Sequence, residues 1–284
     1  MTPRSSLLRL SALMLVMFVA TGCGSLGKMF KDKDADEGQP VATIYDKAHR
    51  SMRSGNWAAA ITSFKRLVAQ YPYGSYTEQA LIETAYAQYK SGKHEEAISS
   101  IDRFIRTYPT HRHAAYMYYL RGMVNSNRDA VFLQKVWTLD ASRRDLATPQ
   151  QAFNDFSIVV DRYPNSRYAD DARARMNALR DMFARHELET ALYYLRRTAY
   201  VAAVDRSKFL LDTYPESKYA NDAIAVMAAA YTALGNQALA DSSRAKLQEK
   251  APNHPYLAGR WPDYPSNLRK INPFAGEKSP LDND

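Results

Sequence analysis

The amino-acid sequence predicts an all-α protein, a solenoid of five helix-pair repeats. Three observations carry that expectation. Four Tyr-Pro dipeptides, ending at Pro72, Pro109, Pro164 and Pro215, are joined in step by Pro252, and these prolines lie 37, 55, 51 and 37 residues apart. Twelve positions before each stands an alanine: Ala60, Ala97, Ala152, Ala203 and Ala240. Around the alanines apolar residues recur at helical spacing, as in Ala60, Ile61, Phe64 and Leu67, then Ala97, Ile98, Ile101 and Phe104, which gives each helix one apolar face.

Taken in order, the chain opens with a leader. Arg4 and Arg9 precede an apolar run from Leu10 to Ala20, too short for the ~20 residues a membrane helix needs and suited to a secretory signal. The run ends Val-Ala-Thr-Gly-Cys at Cys23, the single cysteine of the chain. Small residues before a cysteine make a lipobox, so residues 1–22 read as a lipoprotein signal peptide and Cys23 as the acceptor of S-diacylglycerol and N-acyl (palmitate-type) lipid. An ordinary signal peptide with a chance cysteine is the alternative. Ser25 after Cys23 fits outer-membrane sorting, which predicts a lipid-anchored, periplasm-facing protein. With that cysteine acylated, no disulfide is available and packing alone must hold the fold.

Residues 23–40 are polar and charged and read as a flexible tether. Repeats one to three occupy 41–164. Gly55-Asn56 and Gly92-Lys93 precede the second helices of the first two, where the chain must turn sharply and a residue without Cβ suits. The 55-residue spacing carries an excess that reads as an inserted loop at about 128–148, with Phe132, Trp137 and paired arginines. It either docks a partner or folds onto its own repeat. Repeats four and five occupy 165–252. The 51-residue spacing holds no Gly or Pro between Asn165 and Tyr214, which predicts a lengthened helix from about Tyr168 to Tyr194. Residues 253–284 carry five prolines and are expected to be extended or disordered. Each Tyr-Pro marks a helix end, because proline cannot continue the ladder and restrains the residue before it.

Helix pairs of ~34 residues with an alanine inside the second helix and a proline at its end are tetratricopeptide-type units. Stacked, they build extended surfaces that hold other polypeptides. The formal charge of +8 lacks the dense basic clusters of a nucleic-acid binder. Catalysis finds little support. His111 and His113 flank a turn without a nearby acid or cysteine, a poor metal site. No glycine-rich phosphate loop and no nucleophile elbow is present. Glu95-Glu96 and Asp170-Asp171 read as solvated helix faces. No enzyme activity, cofactor or metal is expected.

The lipobox, the ordered repeats, GNWAAAI followed by YPYGSY, IDRFIRTYPTH and FNDFSIVVDRYPNSRYADDA together resemble the BamD (ComL-type) family, outer-membrane lipoproteins of the β-barrel assembly machinery. The resemblance covers roughly residues 43–249. It implies a non-enzymatic scaffold whose C-terminal repeats bind the barrel subunit, alongside accessory lipoproteins. It further implies N-terminal repeats that receive the sorting strand of unfolded outer-membrane proteins. The family pattern carries no function for the tail.

Aligning repeats on their prolines places Tyr45, His49 and Arg53 of repeat one on an inner face. The same positions give Ile82, Tyr86, Tyr89 and Lys90 in repeat two, and Tyr116, Tyr119 and Met123 in repeat three. Tyrosine offers an apolar body with a polar tip, so this stripe is the expected peptide groove, with Arg53 or Lys90 meeting a terminal carboxylate. The alternative is that several of these tyrosines are inter-repeat core. In repeat four, YVAAVDR matches the family segment at the barrel-subunit contact and makes Arg206 the expected partner residue. An internal ion pair is the alternative there. A lipoprotein scaffold recruiting peptidoglycan or envelope enzymes is the rival reading of the whole chain.

Overall fold

The computed structural model describes residues 38–127 and 146–262. Among these residues it holds ten α-helices, one 3₁₀ turn and no strand. The helices are α1 (Val41–Arg53), α2 (Trp57–Gln70), α3 (Ser75–Lys90), α4 (His94–Thr107), α5 (Ala114–Asn127), α6 (Ala147–Arg162), α7 (Ala169–Arg196), α8 (Tyr200–Thr213), α9 (Ala220–Ala233) and α10 (Gln237–Lys250). The expected signal peptide, Cys23, most of the expected tether, residues 128–145 and the tail from 263 lie outside the described residues. No described helix is long and apolar enough to cross a membrane.

The prolines end α2, α4, α6, α8 and α10. The residue before each leaves helical geometry, with φ between −126° and −147° and ψ between 51° and 82°. Its N–H still closes the last turn, donating to Leu67, Phe104, Val159, Leu210 and Leu247 at 2.7–3.0 Å. Those five residues are buried, as are all five alanines of the spacing rule. Proline therefore sets where each helix stops relative to the residues it buries.

The helices fall into two compact units, one up to Gly92 and one from Lys93, whereas the spacing analysis divides the chain at 164–165. In the first, α2 packs between α1 and α3, around Ile44, Ala48, Ala60, Phe64, Leu67 and Ala80. The second repeats this plan, with α6 between α5 and α7 and α8 between α7 and α9. Its 28-residue α7 is about 42 Å long at 1.5 Å per residue. The first half of α7, with Ala172, Met176 and Leu179, packs on Phe156 and Val159 of α6. Its second half, from Ala184 to Leu195, joins α8, α9 and α10 in the largest core. Close approach in this unit depends on Gly122 of α5, where an added Cβ would lie 2.6 Å from the Phe156 ring.

The charged network of this unit spans three helices. Arg121 of α5 donates Nη1 to Asp102 of α4 at 2.6 Å and Nε to Asp155 of α6 at 2.8 Å. Asn125 donates to the second oxygen of Asp155 at 2.9 Å. Asp155 is only 4% exposed. Burial pushes its carboxyl up, and Arg121 and Asn125 pull against that shift.

Two expectations need correction. The inserted loop was expected to reach about residue 148, but α6 already begins at Ala147. The tail was expected to be extended or disordered from 253, yet its start folds. Pro255–Ala258 form a 3₁₀ turn capped by His254, whose Nδ1 accepts from the Tyr256 N–H. The other ring nitrogen lies 2.9 Å from buried Asp222 of α9. Tyr256 is buried in the largest core, and Trp261 packs on it at 5.2 Å. Proline count alone missed these two aromatic anchors.

Before α2 and α10, Gly55 and Gly235 take φ of +76° and +72°, and Thr198 holds the same place before α8 with φ +59°. At all three the chain closes the preceding helix in the same way. The N–H one residue further on, at Asn56, Ala199 and Asn236, bonds the carbonyls of Ser51, Tyr194 and Tyr231, the six-to-one bond of a left-handed helix stop. A β-branched residue is strained there by ~1–2 kcal/mol. Thr198→Gly is expected to raise stability by about 0.5–1 kcal/mol after the added chain entropy of glycine, read as a higher urea midpoint. A lower midpoint would show that the Thr198 hydroxyl bond to Arg197 O outweighs the strain. By contrast, Asp155→Ala should cost ~3 kcal/mol, since the mostly buried guanidinium loses one of its two carboxylates and keeps only Asp102. Asp155→Leu with Arg121→Met should cost much less in the same titration.

Candidate functional site

The first-unit part of the expected groove is built by α1 and α3. Tyr45 sits one turn before His49 on α1, and their rings stack at 5.7 Å. The Tyr45 hydroxyl donates to Oε1 of Glu83 on α3 at 2.6 Å, and Gln79 donates to the same oxygen at 3.0 Å. Glu83 is 7% exposed, and its second oxygen is buried with no hydrogen-bond partner among the described residues. Burial, then Glu83, pushes the Tyr45 phenol well above its usual range, so it stays a neutral donor. His49 Nε2 lies 3.8 Å from Glu83.

Arg53, one turn beyond, donates Nε to His49 Nδ1 at 3.2 Å. Its guanidinium is thus engaged along its own helix. Ile82 is buried and belongs to the packing between helices, so it offers no contact surface. Tyr86 meets Trp57 of α2 edge-on at 6.0 Å, and Lys90 Nζ stands 6.0 Å over the same indole. Tyr89 is half-buried beside them on α3. Sequence reasoning missed Tyr76, which is 5.3 Å from Tyr45 and well exposed, and Tyr73, which is 88% exposed. Both lie in the YPYGSY segment whose tyrosines carried the family resemblance.

The second-unit part lies on α5. The Tyr119 hydroxyl donates to Asp171 of α7 at 2.6 Å, and Arg175 donates Nε to the same oxygen at 2.6 Å. Tyr168 stacks on Tyr119 at 5.1 Å and meets Tyr116 at 5.4 Å. Met123 packs on the α6–α7 core. Asp171 is exposed, as expected of a solvated face, and these two donors hold its carboxyl below the usual 3.8. Tyr119 occupies the same repeat position as Tyr45, so both tyrosines tie one first helix to an acid on the next. That is the inter-repeat role the sequence left open, and it leaves ring faces rather than hydroxyls for a peptide.

Arg206 on α8 is half-exposed and pairs with Glu187 of α7 at 3.1 Å. Arg206 is 47% exposed in this pair and Glu187 only 13%, so the acid is largely withdrawn from water while the guanidinium is not. Val201 and Phe209 on the same helix are exposed, the former at 62%, as is Tyr193 on α7. The described residues hold no group of three or more His, Cys, Asp or Glu placed for a metal ion.

Residues 37–247 match the family model described as YfiO, outer membrane lipoprotein. The chain belongs to this family. A protein of Xylella fastidiosa strain 9a5c, named outer membrane protein assembly factor BamD, is 63% identical over 271 residues, covering 95% of this chain and 91% of its own length. Proteins of the same name from Neisseria meningitidis strain Z2491 and Vibrio cholerae strain N16961 are 34% and 36% identical, covering 85% and 78% of this chain and 90% of their own length in each case. A solved tetratricopeptide repeat protein from Parabacteroides merdae aligns over 75% of this chain and 80% of its own, at 16% identity and a TM-score of 0.36, too slight a likeness to bear on function.

The Tyr119–Asp171 bond makes a pH-dependent prediction. Because the folded carboxyl titrates below its ordinary value, its contribution to stability is in place above ~4. That contribution is lost as pH falls through the lower folded value. Tyr119→Phe keeps the ring and removes the donor. It should raise the Asp171 midpoint in carboxyl NMR titration, and the Tm gap to wild type should close on acidification. An unchanged midpoint would show that Arg175 alone sets it.

Proposed function

We propose that this chain is a non-enzymatic scaffold lipoprotein that helps assemble β-barrel proteins into the outer membrane. The observation that carries the reading is the near full-length, 63% identity to a protein named as an assembly factor. In this reading Cys23 carries the diacylglyceryl and acyl chains, and two or more chains make a stable anchor. The helices then face the periplasm.

The surface chemistry supports a division of labour. In the first unit the exposed rings of Tyr73 and Tyr76 beside Tyr45 offer aromatic area to an extended peptide with apolar side chains. The Glu83 carboxylate is buried and held by Tyr45 and Gln79, so it fixes the position of the Tyr45 ring. Met123 and the rings of Tyr116 and Tyr119 supply the corresponding surface of the second unit. On α7 and α8 the exposed Tyr193, Val201 and Phe209 lie on the same two helices as half-exposed Arg206, apolar anchors and a charged group of the kind protein interfaces use. This surface is assigned to the barrel subunit, the tyrosine surface to unfolded outer-membrane proteins.

Ordering a flexible strand offsets much of its contact energy, so substrate binding should be weak and reversible. A photo-crosslinker at Tyr86 is expected to capture an unfolded outer-membrane protein, with yield falling several-fold when the substrate's terminal aromatic residue is deleted. Equal yields with and without that residue would remove sorting-strand recognition from this surface. Capture only from positions on α9 or α10 would move it to the C-terminal repeats.

A further inference from the structure

The turns that follow Pro109 and Pro164 deliver arginine at the same place, three residues past the proline: Arg112 and Arg167. Each is followed by a ring, His113 or Tyr168, and then by a helix start, Ala114 of α5 or Ala169 of α7. Tyr116 against Tyr168 at 5.4 Å brings the two helix starts side by side. Arg167 covers the Tyr168 ring at 5.0 Å. His111 and His113 lie ring to ring at 5.3 Å, and the His113 N–H donates to His111 Nδ1 at 3.1 Å, which places the neutral ring's proton on Nε2.

Both arginines are exposed, and neither has an ion pair among the described residues. The equivalent residue of the next turn, Lys218, is paired with Asp181 at 3.7 Å. The two acids that follow Arg167 in sequence each have a nearer arginine on their own helix. Asp170 is bound by Arg173 at 2.8 Å, and Asp171 by Arg175 and Tyr119. Burial first, then Arg112, His111 and Arg167, lower the basicity of His113, as a local excess of positive charge requires. Two helix N-termini add their partial positive charge at the same spot.

We propose that Arg112, His111, His113 and Arg167 form a binding site for a phosphate group, with the Tyr168 and Tyr116 rings beside it. Two guanidinium forks and two imidazoles match the oxygens of a phosphate. Its source is an anionic phospholipid headgroup or free phosphate. In a family of outer membrane lipoproteins, the first would hold the second unit against the membrane surface.

The test uses the full chain in neutral detergent micelles and follows the imidazole resonances of His111 and His113. Inorganic phosphate is one arm, and micelles doped with phosphatidylglycerol are the other. Shifts in both arms, at least ten-fold weaker in Arg112→Glu/Arg167→Glu and unchanged in the control Arg50→Glu/Lys250→Glu, support the site. Stronger response to the doped micelles assigns the headgroup, and equal response assigns free phosphate. The proposal is overturned if neither arm shifts the histidines, if control and cluster variants weaken alike, or if a hexaglutamate peptide shifts them while phosphate and phosphatidylglycerol do not.

Discussion

Everything in this fold is registered against the stop of the second helix in each pair. A proline cannot donate, and it forces the residue before it out of helical geometry, so the helix end is fixed to the residue. Five positions upstream lies the buried residue whose carbonyl takes the last bond, and twelve upstream lies the buried alanine. One local rule thus sets which side chains enter the core, where neighbouring backbones come close, and where the next first helix begins.

Polar bonds between consecutive first helices are added to that apolar register. Tyr45 reaches Glu83, and Tyr119 reaches Asp171, from the same place in their repeats. Neutral phenols bound to carboxylates cost little to bury when the bond is made and much when it is broken, so they favour one stacking register over a slipped one. Arg121 does similar work across α4, α5 and α6, joining helices on both sides of the 128–145 segment. These groups bind parts of the fold together, and the rings of Tyr45 and Tyr119 stay only half-buried while their hydroxyls do so.

The helix ends, the core alanines and the lengthened α7 were legible because they rest on spacing within a single helix. What escaped the sequence depends on distant partners. Asp155 and Asp102 meet Arg121 across 34 and 19 residues, and no periodicity links them. Glu83 and Asp171 read as ordinary helix acids until the neighbouring tyrosine is in place. Thr198 hid a left-handed turn because the glycine that marks it elsewhere is missing. The first residues of the tail look extended by their prolines, yet His254 meets Asp222 of α9 and Tyr256 enters the core with Trp261 against it, contacts that local composition does not carry. Of the tyrosines, the helix each lies on was legible and its hydrogen-bond partner was not.

The 28-residue α7 has a consequence for how the second unit comes apart. A stack in which every repeat touches only its neighbours can melt piecemeal, one module fraying while the rest persist. Here a single uninterrupted rod is common property of two hydrophobic clusters, so neither can lose its order without unravelling part of the other's wall. The rod makes the unit cooperative across a distance that nearest-neighbour stacking alone would not bridge. A torque applied where α7 meets α6 would be felt, undiminished by any hinge of glycine or proline, among the residues that surround Arg206.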